Sequence, residues 1–161
     1  MSTTTTFFFP ETVYVSNKQT QTEVFEEVYL DLVEKELVTE DFFDHLLERE
    51  ANYPTGLDLS PIDSSLPDIA IPHTESEFVK TTRIVPIKLT HPILFHHMIR
   101  PSDTLDASFL FMILNENGAE QAGMLADIMD FINSVDKKEL QRFFSYEDPK
   151  EIYTFLEKNF N

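Results

Sequence analysis

The sequence predicts a single α/β domain: one mixed β-sheet of about five strands, flanked by helices on both sides. Three observations carry that reading. Several stretches repeat apolar residues at helical spacing, and between them lie short β-rich runs bounded by Pro, Asp or Asn. The run Phe109-Leu110-Phe111-Met112-Ile113-Leu114 is apolar without interruption, as befits a central strand covered on both faces. The 161 residues include fifteen Phe and five Tyr but only three Gly. That composition suits one well-filled core better than a fold of many tight turns.

Residues 1–10 run from polar to aromatic and are expected as a loose N-terminal arm or edge segment of the single domain that spans 1–161. Thr12 to Val15 reads as a first short strand. Thr20-Gln21-Thr22-Glu23 has capping-box spacing and opens an amphipathic helix whose apolar stripe is Val24, Phe25, Val28, Tyr29, Leu32 and Val33. Thr39 is expected to cap a second helix, with Glu40 and Asp41 in its first turn and Phe42, Phe43, Leu46 and Leu47 facing inward. Arg49 falls near its end, and Tyr53-Pro54-Thr55-Gly56 breaks it. A polar loop, 57–67, leads into a strand at Ile69. Further strands are expected at 83–89, 93–98 and 108–114. After the turn at Asn115 to Gly118 a helix carries Leu125, Ile128, Met129 and Ile132. Asp136 caps a short helix through Phe144. Asp148-Pro149 opens the last one, with proline at its favoured first position and Ile152, Phe155 and Leu156 inward.

Composition narrows the function. A formal net charge of −17 excludes nucleic acid as a natural partner, because phosphate-backbone binding needs clustered Lys and Arg. It equally disfavours anionic membrane surfaces. Fast, steered encounters with a basic protein remain open, and so does a plain role in solubility. With no cysteine there are no disulfides, thiolate chemistry or Cys-ligated metals. No apolar run approaches the roughly 18 residues of a membrane span. The N-terminus has no basic region ahead of Phe7-Phe8-Phe9, so it does not read as a secretory signal. A cytoplasmic protein without membrane insertion is expected.

Five histidines are the candidate chemistry. His45 lies beside the second helix's stripe, and His91 precedes Pro92 in a turn. His96 and His97 point to opposite faces of one strand and so cannot serve one metal from that segment; no metal or cofactor is expected. There is no nucleophile elbow and no glycine-rich phosphate loop. His73 remains, in Ile69-Ala70-Ile71-Pro72-His73-Thr74-Glu75. An apolar strand ends at a proline that fixes the backbone, and a neutral imidazole there is a competent nucleophile near neutral pH. A phosphoryl group on it could be met by amides of Thr74, Glu75 and Ser76 opening a helical turn, by the Arg49 guanidinium and by the Thr55 hydroxyl. The same residues also suit a histidine that only caps the turn after a strand. The residues alone leave both readings open.

Arg49-Glu50-Ala51-Asn52-Tyr53-Pro54-Thr55-Gly56-Leu57, followed by Ile69-Ala70-Ile71-Pro72-His73, resembles the paired signature of enzyme IIA of the bacterial sugar phosphotransferase system, fructose/mannitol superfamily. The likeness in element order extends over nearly the whole chain, and Tyr53-Pro54-Thr55-Gly56 is most similar to galactitol-type members. The resemblance implies the fold of that family and a phosphoryl carrier. His73 would take phosphate from the phosphohistidine of HPr and pass it to a cysteine of enzyme IIB on a separate chain, with the membrane component IIC served indirectly. It makes Arg49 the basic group beside His73, with Thr55 and Gly56 in the pocket wall. Mannitol- and fructose-type members carry a second histidine where this chain has Gln121, beside Glu120; galactitol-type members resemble this chain in lacking it. Gln121 can donate a hydrogen bond to phosphate but carries no charge. Two other functions stand beside this one: a regulatory protein of the same fold phosphorylated on His73, and an interaction module in which His73 is structural.

Overall fold

The computed structural model describes residues 6–118 and 121–160. Its centre is a five-stranded mixed sheet in the order β1-β4-β5-β3-β2, formed by β1 (Tyr14–Ser16), β2 (Gly56–Leu57), β3 (Asp68–Ala70), β4 (Arg83–His96) and β5 (Thr104–Leu114). β1 runs parallel to β4, β4 antiparallel to β5, β5 parallel to β3, and β3 antiparallel to β2. The uninterrupted apolar run sits at the middle of this order because both of its faces are covered. Phe109, Phe111 and Ile113 join Ile69, Ile71 and Ile84 in one core, against α3 (Gln121–Ser134), α4 (Lys137–Ser145) and α5 (Pro149–Asn159). Leu110, Met112 and Leu114 join Ala70, Val85 and Ile87 in the other, against α1 (Gln21–Glu34) and α2 (Phe42–Asn52).

Three of the expected caps form. The Thr20 hydroxyl oxygen accepts the Glu23 amide at 3.2 Å. Asp136 accepts the amides of Lys138 and Glu139, and Asp148 that of Lys150. Thr39 does not cap α2. Its own N–H donates to the Phe78 carbonyl and its carbonyl accepts the Phe42 amide, so its backbone is held beside 78–79 and its hydroxyl is buried without a partner among the described residues. The helix starts instead at Phe42, with Asp41 as the flanking residue.

The strands expected at 83–89 and 93–98 are one strand, β4. Lys88 pairs with Phe109 and Ile93 with Ala107, and the register shifts between them. Thr90, His91 and Pro92 are exposed there, because a proline has no N–H for the ladder and the chain bulges past it. β2 has only two residues, too few for a periodic pattern.

Of the two expectations for the segment before Val13, residues 7–9 follow the edge segment and not the loose arm. The Phe7 carbonyl accepts the Ile84 amide at 2.8 Å, Phe8 is buried, and its ring packs edge-on against Phe160 at 4.8 Å. Arg83 stacks over Phe9, 4.0 Å from its centroid. Residues 1–5 lie outside the described part of the chain.

Candidate active site

β3 carries its direction on into Ile71, Pro72 and His73. The Ile113 amide donates to the Pro72 carbonyl at 3.0 Å on one side, and on the other the Ile71 amide donates to the Thr55 carbonyl at 3.2 Å. His73 thus leaves the sheet from a backbone clamped on both edges, with Pro72 fixing the torsion before it. The half-buried imidazole lies 3.0 Å through Nδ1 from the carbonyl of Ile71. A carbonyl can only accept, so Nδ1 carries the proton and Nε2 keeps its lone pair. Burial holds His73 below its ordinary titration range; the Ile71 carbonyl opposes that shift and the nearby Arg49 guanidinium reinforces it. The ring is therefore neutral at neutral pH.

His73 shares a cavity of about 540 Å³ with Arg49, Tyr53, Thr55, Met98 and Leu125, among others. Arg49, from the last turn of α2, donates through Nη1 to Glu75 Oε1 at 3.2 Å and lies over the Tyr53 ring, 4.8 Å from its centroid. Its Nε is buried and unpaired among the described residues. Three expected site residues, His73, Arg49 and Thr55, thus meet in one place. Thr55 does so differently from expectation: its hydroxyl and its amide each donate to the Glu50 carboxylate at 2.7 Å, so its proton is already committed. The amides of Thr74 and Glu75 do not open a helix. Backbone at Glu75 is extended and only Ser76–Phe78 makes a single 3₁₀ turn. Gln121 opens α3, and its neighbours Ala122 and Leu125 line the cavity. Its side chain and Glu120 lie outside the described residues.

Two carboxylates escaped the sequence reading. Glu50 is buried, and burial pushes its carboxyl up to about 7 against the two Thr55 hydrogen bonds, which favour the charged form. Helical spacing could have found it, since Phe42, Leu46 and Glu50 fall on one stripe four residues apart. Glu75 meets Arg49 across 26 residues of chain, a contact no local pattern announces.

Three of the other histidines make structural contacts. His45 stacks on Phe78 at 3.7 Å between centroids. His96 is exposed, with Nδ1 2.9 Å from the Pro101 carbonyl. His97 is buried, its Nδ1 accepting the Ile99 and Arg100 amides while Nε2 donates to Asp58 at 2.9 Å. Among the described residues no group of three or more His, Cys, Asp or Glu could hold a metal ion, and no helix is long and apolar enough to cross a membrane.

A neutral imidazole lining the same cavity as a guanidinium suits an anionic electrophile, which is the chemistry of phosphoryl carriage. The α/β sheet and this cavity suit a single-domain carrier of that kind. The chain belongs to the family described as phosphoenolpyruvate-dependent sugar phosphotransferase system, EIIA 2, whose model matches residues 6–159. Solved structures share its fold. Mannitol IIA of Escherichia coli superposes with a TM-score of 0.69 at 19% identity, covering 92% of this chain and 98% of its own. The complex of E. coli mannitol enzyme IIA with phosphorylated enzyme IIB gives 0.70 at 18%, covering 94% and 97%. Nitrogen regulatory protein IIA-Ntr of Neisseria meningitidis gives 0.63 at 18%, covering 93% and 96%. No curated protein matches the chain in sequence.

Proposed function

We propose that His73 is the phosphorylated residue of this EIIA component, and that the chain relays phosphate in the cytoplasm from HPr to a cysteine of a separate enzyme IIB, which in turn serves a membrane IIC. The observation that carries the reading is the bond between His73 Nδ1 and the Ile71 carbonyl, which leaves the Nε2 lone pair uncommitted on a residue that lines the same cavity as Arg49. The step is a direct exchange. Nε2 forms the N–P bond as the P–N bond to the donor imidazole breaks, and that electron pair returns to the donor ring. The Nδ1 proton stays in place, and the Ile71 carbonyl stabilises the imidazolium that results. Arg49 neutralises the incoming phosphoryl oxygens. In the reverse sense the cysteine thiolate of IIB takes the group from His73. The solved complex of a mannitol IIA with phosphorylated IIB supports the second half of this relay for the shared fold.

The sugar is inferred from motif alone. Tyr53-Pro54-Thr55-Gly56 and the glutamine at 121 favour galactitol or a related polyol. A regulatory use of the same phosphohistidine is the second reading, favoured by the fold it shares with the nitrogen regulatory protein IIA-Ntr. Incubation with phosphoenolpyruvate, enzyme I and HPr should give an acid-labile, base-stable phosphohistidine that a galactitol-type IIB discharges faster than a mannitol-type one. Labelling should vanish in His73→Ala; a label retained there overturns the assignment, and a labelled chain that no IIB discharges favours regulation.

A further inference from the structure

Arg49 and Glu75 form a contact that the relay as described does not use. Glu75 stands two residues beyond His73 and takes Arg49 Nη1 at 3.2 Å. Desolvation raises its carboxyl, yet its own backbone amide and the guanidinium outweigh that and hold it below the ordinary glutamate range. It is therefore an anion whenever the relay works. Both groups reach His73 electrostatically and in opposite senses, Arg49 disfavouring its protonation and Glu75 favouring it. Arg49 meanwhile keeps its Nε unpaired in a buried position, so one of its donors awaits an acceptor that the described residues do not supply.

We propose that Glu75 is a positioning residue that competes with the His73-bound phosphoryl group for Arg49. The inference rests on the reading of His73 as the phosphorylated residue. A guanidinium wholly free to grip phosphoryl oxygens in bidentate fashion would bind the phosphorylated state tightly. A carrier must also give the group away, and deep stabilisation of the intermediate would slow the second exchange. With Glu75 holding Nη1 and the Tyr53 ring beneath the guanidinium, a phosphoryl oxygen that takes Nη1 must displace the carboxylate. The Nε–H is free to bond at no such expense. The carboxylate is partly exposed, with 44% of its side-chain surface accessible, so once displaced it can be rehydrated. Arg49 thus holds the phosphoryl group firmly enough to orient it and loosely enough to release it.

Phosphoramidate, a small chemical donor that needs no partner protein, tests this by labelling His73 in the wild type, Glu75→Gln, Glu75→Asp, Arg49→Gln and the double variant. The half-life of the phosphohistidine is followed by ³¹P NMR, and the equilibrium of phosphoryl exchange with HPr is measured alongside. In Glu75→Gln the phosphohistidine should live longer, and the exchange should shift towards phosphorylated carrier by roughly three- to fivefold, the size of a partly exposed ion pair. Glu75→Asp should fall between that variant and the wild type. In the Arg49→Gln background Glu75→Gln should have no effect, because competition requires the arginine. Unchanged or shortened half-lives in Glu75→Gln overturn the proposal. So does an equal gain without Arg49, which would reduce Glu75 to simple charge repulsion. A wild type that takes no label at His73 would instead overturn the relay itself, and the competition with it.

Discussion

Glu50 occupies a place where the helical stripe of α2 calls for an apolar side chain, and it is tolerated there because both carboxylate oxygens are satisfied by Thr55. The bond from its carboxylate to the Thr55 amide fixes the turn that follows α2, and the next carbonyl along receives Ile71, the anchor for the His73 backbone. The cost of burial is visible in its titration, raised from the ordinary 4.5 to about 7. A carboxyl whose folded value lies above its unfolded value binds more protons folded than unfolded between those values. Its contribution to stability is complete below about 4.5, declines as pH rises, and is gone above about 7. Glu50→Gln removes this dependence. Relative to the wild type, the variant should gain on the order of 3 kcal/mol between pH 4.5 and 7 and then run parallel. Urea unfolding of both proteins across that range checks it, and curves parallel throughout would contradict the buried titration. At this scale His73 and Arg49 were legible because the resemblance rests on contiguous motifs. Glu75 was not, because its role depends on a contact made only when α2 and the 73–78 segment come together.

Among the elements, β2 is the smallest and the most exacting. A Cβ built on Gly56 would lie 2.6 Å from the His96 carbonyl oxygen, a backbone atom that cannot yield cheaply. The close approach exists because the Gly56 carbonyl accepts the Met98 amide at 2.8 Å, pinning the end of β4 beside the cavity wall. Gly56→Ala must push these segments apart. Overpacking of this kind costs about 1–3 kcal/mol, and the displaced wall carries Thr55 and Met98. A lower urea midpoint with slower phosphorylation of His73 is expected; a variant equal to the wild type in both would show that the strand moves freely. The same element shows where sequence reading stops. α1, α4 and α5 were legible through stripe and cap because their signals are local. β2, two residues long, has no period to detect, and its glycine is required by a partner forty residues away. β4 read as two strands because Pro92 breaks the local pattern, whereas β5 pairs with both halves across the bulge and makes them one. At Thr39 a good capping residue lost to a backbone pairing with Phe78 that only the tertiary fold provides.

At the scale of the whole molecule, α/β class was legible because β5 announces a sheet buried on both faces, and a chain of this length has helices enough to cover both. How the ends close was not legible. Three consecutive phenylalanines near the N-terminus carry no strand or helix period, and their partners come from the other end of the chain. Phe160 packs against Phe8 at 4.8 Å, Phe7 at 6.4 Å and Phe131 at 5.7 Å, so the two ends cover the core on the α3–α5 side together. Phe143 and Phe155 extend the same aromatic cluster at 4.9 Å from one another. Such edge-on and tilted contacts add to area burial. If residues 7–9 were a loose arm, Phe8→Ala would change stability by no more than about 0.5 kcal/mol, as at an ordinary surface position. With Phe8 only 4% exposed, the truncation should cost about 3–5 kcal/mol, the range for a buried aromatic, and Phe160→Ala should weaken the same cluster. Because the two rings touch, the double variant should lose less than the sum of the single losses. Additive losses in chemical denaturation would mean that the two ends seal the core independently rather than as one contact.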